Sequence, residues 1–263
     1  MASLIGKILK NRYKVIKSLG HGSKADVYLA SDKLLEKEVA IKVIQTDNIQ
    51  PKVMQRGLKR FHIEAQRMAA LNHPNIVKVM DHGEHEGIPY LVIPNYASGT
   101  LKDWLGTGIP YEKALRLILP VADALAYAHS KGLVHRKVKP SNILLTEGDL
   151  PMLTDFGLVK MLGGEETLDL TGIGAWVGKP KYMAPEQADG RVIDAWTDIY
   201  ALGVVLYEQL TAWKPFETET PVTVLVKHMH DPLPKPSEII SGIPESVEQL
   251  LYKTLAIQPG ERY

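Results

Sequence analysis

The chain has 263 residues, 45% of them apolar, and its 31 basic and 30 acidic side chains leave a formal net charge of +1. That is enough apolar material for one large core or two adjacent ones, and no global field draws in nucleic acid or an anionic membrane, so any anion site must be local. Cysteine is absent, which excludes disulfides, a thiolate nucleophile and a cysteine-ligated zinc.

Lys7, Lys10, Asn11 and Arg12 interrupt the opening residues before an apolar signal-peptide core can form. No later segment approaches the roughly 20 apolar residues of a membrane span, so this segment is expected to be soluble, cytoplasmic and without membrane contact. The first third then reads as a meander. Residues 13–19, 26–30 and 38–44 are short, rich in Val, Ile and Tyr, and separated by glycine or charged turns. Met54, Leu58, Phe61, Ala65, Met68 and Leu71 recur at three- and four-residue steps, which predicts a helix over 53–71 ending before Asn72-His73-Pro74. Strands are expected at 77–81 and 89–93, followed by a polar, hinge-like stretch from Pro94 to Gly99. Beyond it the apolar periodicity lengthens, predicting helices over 111–131 and 196–211 and a loop over 231–236.

Four local patterns carry chemistry. Gly20-His21-Gly22 lies between two predicted strands, where missing side chains let backbone N–H groups approach phosphate oxygens; alone, it can equally be a strand-joining turn. Val39-Ala40-Ile41-Lys42-Val43 sets one cation in an apolar strand, which needs a partner or a wet cleft, and Glu64 is a candidate partner. His135-Arg136-Lys137-Val138-Lys139-Pro140-Ser141-Asn142 crowds polar groups into a loop before the aliphatic Ile143, Leu144 and Leu145. Asp155-Phe156-Gly157 then places a carboxylate at a strand end, where it and Asn142 can hold magnesium.

In this order, the patterns resemble the signature set of the protein kinases, and the phrases HPNIVKV, YMAPEQ and TDIYALGVVLYEQLT are most similar to bacterial serine/threonine kinases of the Hanks type. The resemblance covers nearly all of the chain. It implies an α+β, two-lobed kinase fold, with a small antiparallel-sheet lobe plus one helix over 1–93, a hinge over 94–98, and a larger helical lobe over 99–263 whose last helix is incomplete. It implies ATP and Mg2+ as cofactors. Gly20, Gly22 and Val27 would cover the nucleotide, and Lys42, oriented by Glu64, would meet its α- and β-phosphates. Ala40 and Leu144 would sandwich the adenine, Pro94, Asn95 and Tyr96 would bond its edge, and Ile93 would back the pocket. Asn142 and Asp155 would hold the metal, Lys139 is the catalytic-loop lysine, and Arg262 would pair with Glu186.

Two positions depart from the family's pattern. Lys137 stands where the family places the aspartate that accepts the attacking hydroxyl's proton, and an ammonium has no lone pair to offer. Losing a positioned general base costs roughly 100- to 10,000-fold. Lys179 stands where the family usually has a threonine contacting that aspartate and the catalytic-loop lysine. Gathering Lys137, Lys139 and Lys179 would set ammonium groups against each other by about 4 kcal/mol per pair at about 4 Å and an effective dielectric near 20, so they should splay or recruit an anion.

The chain is thus expected to be inactive or nearly so. A natural pseudokinase acting as a nucleotide-binding scaffold, a deliberately inactivated kinase, and a lysine that pairs with the γ-phosphate and permits slow transfer all remain open. Thr167 and Thr171 lie in a polar segment resembling an activation loop, with Arg136 as the usual cationic partner of a phosphate there. A protein substrate or regulatory protein is the expected partner, with no nucleic acid; a homodimer through the N-terminal lobe is left open. Relatives often continue into linkers, membrane spans or sensor domains, so the chain can be the intracellular part of a membrane-anchored protein.

Overall fold

The structure is a computed structural model that describes residues 4–22, 25–46, 51–96, 99–156, 181–218 and 220–263. They fall into two compact units, the first running to Tyr96 and the second starting at Gly99.

The first unit is an antiparallel sheet with one helix. Strands β1 (Ile8–Leu9), β2 (Tyr13–His21), β3 (Ala25–Asp32) and β4 (Lys37–Ile44) follow one another; helix α1 (Pro51–Ala70) intervenes before β5 (Asp81–His85) and β6 (Ile88–Pro94). The sheet order is β1-β2-β3-β4-β6-β5. Alternation explains its core: Tyr28 and Ala30 of β3, Val39, Ile41 and Val43 of β4, and Tyr90 and Val92 of β6 point to one face and pack with Leu9, Tyr13 and Val15. The β3–β4 turn is held by Asp32, which is buried, accepts from Leu34 N and Leu35 N, and takes both Nε and Nη2 of Arg12 at 2.7 and 2.6 Å. Those Arg12 hydrogen bonds hold the Asp32 carboxyl below its usual range.

Helix α1 buries the predicted stripe through Phe61, Ala65 and Met68. Its last carbonyls, which no intrahelical N–H can reach, are met by Lys78, whose Nζ donates to Ala69 O and Leu71 O at 2.8 and 3.2 Å.

The strand expected at 77–81 is displaced. Val77 and Val79 are buried and Lys78 and Met80 exposed, the alternation a strand would show, but the ladder starts at Asp81. The reason is the turn: Glu86 and Gly87 both have positive φ, 52° and 79°, the signature of a two-residue hairpin that matches strand twist. It pairs His85 with Ile88 and so fixes the register out to Asp81 opposite Val92. Pro94, read from sequence as the first hinge residue, is the last residue of β6, opposite Val39.

The second unit is mainly helical. A 3-10 turn (Leu101–Trp104) precedes helix α2 (Tyr111–Ser130). A second 3-10 turn (Pro140–Asn142) leads into the two-stranded pair β7 (Ile143–Leu145) and β8 (Pro151–Leu153), and helices α3 (Pro185–Ala188), α4 (Ala195–Thr211), α5 (Pro221–His230), α6 (Pro236–Ile239) and α7 (Glu245–Thr254) follow. Helix α4 is buried on all sides from Tyr200 to Thr211, as expected of a helix at the centre of its unit. Its Gly203 is required: a Cβ there would lie 2.8 Å from Thr254 Oγ1 and 3.1 Å from the Leu255 side chain. The loop predicted over 231–236 joins α5 to α6, Pro236 being the first residue of α6.

Candidate functional site

In the first unit, the sheet's two faces separate structure from candidate chemistry. Val27 pairs with Lys42, Lys42 with Leu91, and Ala40 with both Leu29 and Ile93, so these residues share the face opposite the Tyr28–Ile41–Val92 core. Helix α1 lies on that same face, since the Phe61 ring edges His82 at 6.2 Å and His82 pairs with Leu91. Glu64 of α1 accepts from Arg67 Nη1 at 3.2 Å.

The glycine hairpin is closed tightly. Gly22 N donates to Ala25 O at 2.9 Å, and a Cβ on Gly22 would stand 2.8 Å from that oxygen, so no other residue fits without displacing the backbone. Gly20 pairs with Val27, and Gln45 Nε2 donates to Gly22 O and Asp26 Oδ1. Of the remaining positions in this unit, Asn95 Nδ2 reaches Glu38 Oε2 at 3.4 Å, and burial pushes the Tyr96 hydroxyl's pKa up.

In the second unit, the loop after α2 is built around a carboxylate from α4. Asp198 is fully buried and accepts from His135 N and Arg136 N, each at 2.7 Å, and from His129 Nε2 at 2.8 Å. Arg136 takes a left-handed φ of 67° at this turn, an unfavourable geometry for a side-chain-bearing residue that the Asp198 bonds help to hold. His135 then orders the next step. Its Nε2–H donates to Thr154 O at 2.7 Å and its Nδ1 accepts from Lys137 N at 3.1 Å, the pattern of a neutral imidazole. Burial lowers its pKa in the same sense.

Lys137 carries its backbone between two clamps, for its carbonyl accepts from Asn142 Nδ2 at 2.8 Å. Asn142 is buried and tied on both sides, its N donating to Lys139 O and its O accepting from Thr154 N, both at 2.9 Å. With Nδ2 spent on Lys137, the atom Asn142 can turn toward a cation is Oδ1. Thr154 also donates its hydroxyl to Asp155 Oδ1 at 3.2 Å. Asp155 has φ +73°, a second left-handed, non-glycine residue, and the Phe156 ring beside it packs tilted against His135, centroids 4.6 Å apart. Asn142, Asp155, Lys137 and Lys139 are thus drawn into one hydrogen-bonded unit whose hub is Thr154. Leu144 sits in β7, bridged to Thr100.

A second buried polar pair closes this unit from its far end. Arg262 Nη1 and Nη2 donate to Glu186 Oε1 and Oε2 at 2.8 and 2.9 Å, and Thr197 Oγ1 adds a bond at 2.8 Å. Burial pushes the Glu186 carboxyl up, but the Arg262 and Thr197 bonds outweigh it and leave the carboxyl below its usual range. Gln187 of α3 reaches Arg136 O at 3.5 Å. Thr167, Thr171 and Lys179 lie outside the described residues.

Sequence reasoning did not find the roles of Asp198 and Thr154. A carboxylate set among the aliphatics of a helix was the available signal for Asp198; Thr154 left none.

A family model described as the protein kinase domain matches residues 13–263. The chain is 38% identical over 262 residues to a probable serine/threonine-protein kinase of Clostridium perfringens, covering 99% of this chain and 37% of that protein. It is 37% identical to the serine/threonine-protein kinase PrkC of Bacillus subtilis, covering 99% and 40%, and 37% identical to PknB of Mycobacterium tuberculosis, covering 97% and 41%. The chain therefore spans about two fifths of these relatives' length. The kinase domain of Mycobacterium tuberculosis PknI superposes with a TM-score of 0.76 at 26% identity, covering 99% of this chain and 94% of that one. With its antiparallel-sheet unit, its helical unit and the matched signature residues, the chain belongs to the protein kinase domain family, as a serine/threonine kinase domain of the Hanks type.

Proposed function

We propose that the chain binds ATP with magnesium and transfers the γ-phosphoryl group slowly or not at all. In this reading residues 1–93 are the N-terminal lobe, 94–98 the hinge and 99–263 the C-terminal lobe. Gly20, Gly22 and Val27 cover the nucleotide, Lys42 with Glu64 binds its phosphates, Ala40 and Leu144 hold the adenine, and Ile93, Pro94, Asn95 and Tyr96 line its edge. The shared sheet face of Val27, Ala40, Lys42 and Ile93 supports this half of the reading.

Asn142 and Asp155 fit magnesium in kind. Both offer hard oxygens, both are bonded to Thr154, and magnesium typically takes one or two protein oxygens and completes its shell with phosphate and water. When bound, the metal would neutralise charge on the phosphates. Lys139 is the catalytic-loop lysine, and Arg136 the partner for a phosphate on Thr167 or Thr171.

The single observation that carries the reading is Lys137 within the clamped loop. Its N–H and carbonyl are fixed by His135 and Asn142, so the loop keeps its bonded frame while its side chain offers a cation in place of a proton acceptor. Transfer to a serine or threonine hydroxyl of a protein would then rest on positioning alone. A second reading, a nucleotide-responsive scaffold that signals to a protein partner without transfer, is favoured by the same substitution.

Labelled ATP tests this. The unmodified chain should incorporate little label, and Lys137→Asp combined with Lys179→Thr should restore autophosphorylation. Restored transfer supports an impaired kinase, whereas a silent double variant that still binds nucleotide favours the scaffold. Ordinary turnover by the unmodified chain contradicts both. Among the described residues no helix is long and apolar enough to cross a membrane.

A further inference from the structure

Lys137 and Lys139 flank a buried residue. Val138 is 1% exposed while both lysines are partly exposed, and Lys139 is extended at φ −164° and ψ 159°. A buried residue between two partly exposed ones is the alternation of side chains on opposite sides of the backbone, so both lysine stems leave the chain on the side away from Val138. The loop that carries them is rigid, being bonded to His135, Asn142 and, through Asn142, to Thr154. The same network holds Asp155. His135 joins Lys137 and Asp155, since its ring accepts from Lys137 N and donates to the carbonyl of Thr154, the residue before Asp155.

The charge count follows. With an aspartate at position 137, two carboxylates would face a polyanionic phosphate chain, and a divalent cation would be needed to offset them. Counted with Lys139 in both cases, the three positions carry a formal −1 with aspartate at 137 and +1 with lysine. A triphosphate then meets attraction without metal, and a divalent cation at Asn142 and Asp155 meets repulsion from Lys137.

We infer that Lys137 and Lys139 together form an anion site for the terminal phosphate, so that the chain binds a nucleoside triphosphate nearly as well without divalent cation as with it. This rests on the nucleotide-binding reading proposed above. The family's metal ligands are retained, but their importance for affinity is reduced by a side chain that nature or design has placed beside them.

Titration calorimetry with ATP, in excess magnesium and in excess EDTA, tests it on the whole chain, Lys137→Asp and Lys137→Gln. For the unmodified chain the dissociation constant should change by less than about threefold on chelation, and for Lys137→Asp by more than about tenfold, with Lys137→Gln between them. In EDTA, ADP should bind the unmodified chain more weakly than ATP, which places the contact on the terminal phosphate. Electron paramagnetic resonance of Mn2+ should show weaker metal binding to the ATP-loaded unmodified chain than to loaded Lys137→Asp. If Lys137→Asp does not fold, as judged by circular dichroism, Lys137→Gln carries the comparison. Equal loss of ATP binding on chelation in all three proteins, or equal binding of ATP and ADP in EDTA, overturns the inference and leaves nucleotide binding standing. No ATP binding by any of the three in either buffer overturns both.

Discussion

Asn142 donates its side-chain amide to the carbonyl of Lys137 at 2.8 Å. In the proposed reading, the bond joins a magnesium ligand to the position where a proton acceptor would otherwise stand. It depends on Lys137 only through the backbone, and so it survives whatever side chain stands there. In that reading, the separation of frame from chemistry lets the loop keep its shape while losing its reaction.

Asn142→Ala removes the clamp and leaves a partly buried carbonyl without its donor. The expected cost is about 1–3 kcal/mol in urea denaturation, together with weaker Mn2+ binding. Asn142→Asp should restore an oxygen ligand without the donor, recovering metal binding while stability stays reduced.

Arg262→Met should strand the Glu186 carboxylate in a buried site, costing about 3–5 kcal/mol by denaturant titration. The pH dependence has a definite sign. Because the folded Glu186 carboxyl lies below its usual range, its contribution is fully present above about pH 4.3, the ordinary glutamate value, and is lost as pH falls through the folded pKa. Arg262→Met should abolish that acid-side loss.

His228 titrates the other way from a histidine that gains a charged partner. Its Nδ1 meets the Tyr200 hydroxyl at 2.7 Å, Phe216 packs on its ring at 4.9 Å, and burial lowers its pKa to about 4. The unfolded chain, at about 6.5, takes up a proton first, so stability is full above that pH and declines as pH falls from about 6.5 to 4. His228→Phe should flatten the melting temperature across this window, whatever it does to the absolute value.

Gly203→Ala should destabilise the contact between α4 and α7 by about 1–3 kcal/mol, because the added methyl would press on Thr254 Oγ1 and Leu255. Thermal melting of the variant beside Gly132→Ala, where a Cβ meets nothing within 4 Å but φ is +70°, separates crowding from backbone strain.

Much of the candidate site is legible because its residues are local. The glycine hairpin, Lys42 in its apolar strand and the run from His135 to Leu145 each state their chemistry within a dozen residues. Position 77–81 misleads because Val77 and Val79 alternate with exposed neighbours as a strand would, while the deciding feature is the Glu86-Gly87 turn that sets the register from the other end of the hairpin. Asp198 reaches its partners across more than 60 residues of chain, and no periodicity within α4 reports what a buried carboxylate there will bond. Lys78 capping α1 is hidden for the same reason, since the carbonyls it meets belong to a helix that has already ended.

The most direct measurement is single-turnover transfer of labelled γ-phosphate by the unmodified chain beside Lys137→Asp under identical conditions. A protein kinase typically turns over at about 1–100 per second. The unmodified chain should be slower than Lys137→Asp by about 100-fold or more; transfer by the unmodified chain at an ordinary kinase rate, as fast as by Lys137→Asp, would contradict this, because a lysine would then be doing the work assigned to a base.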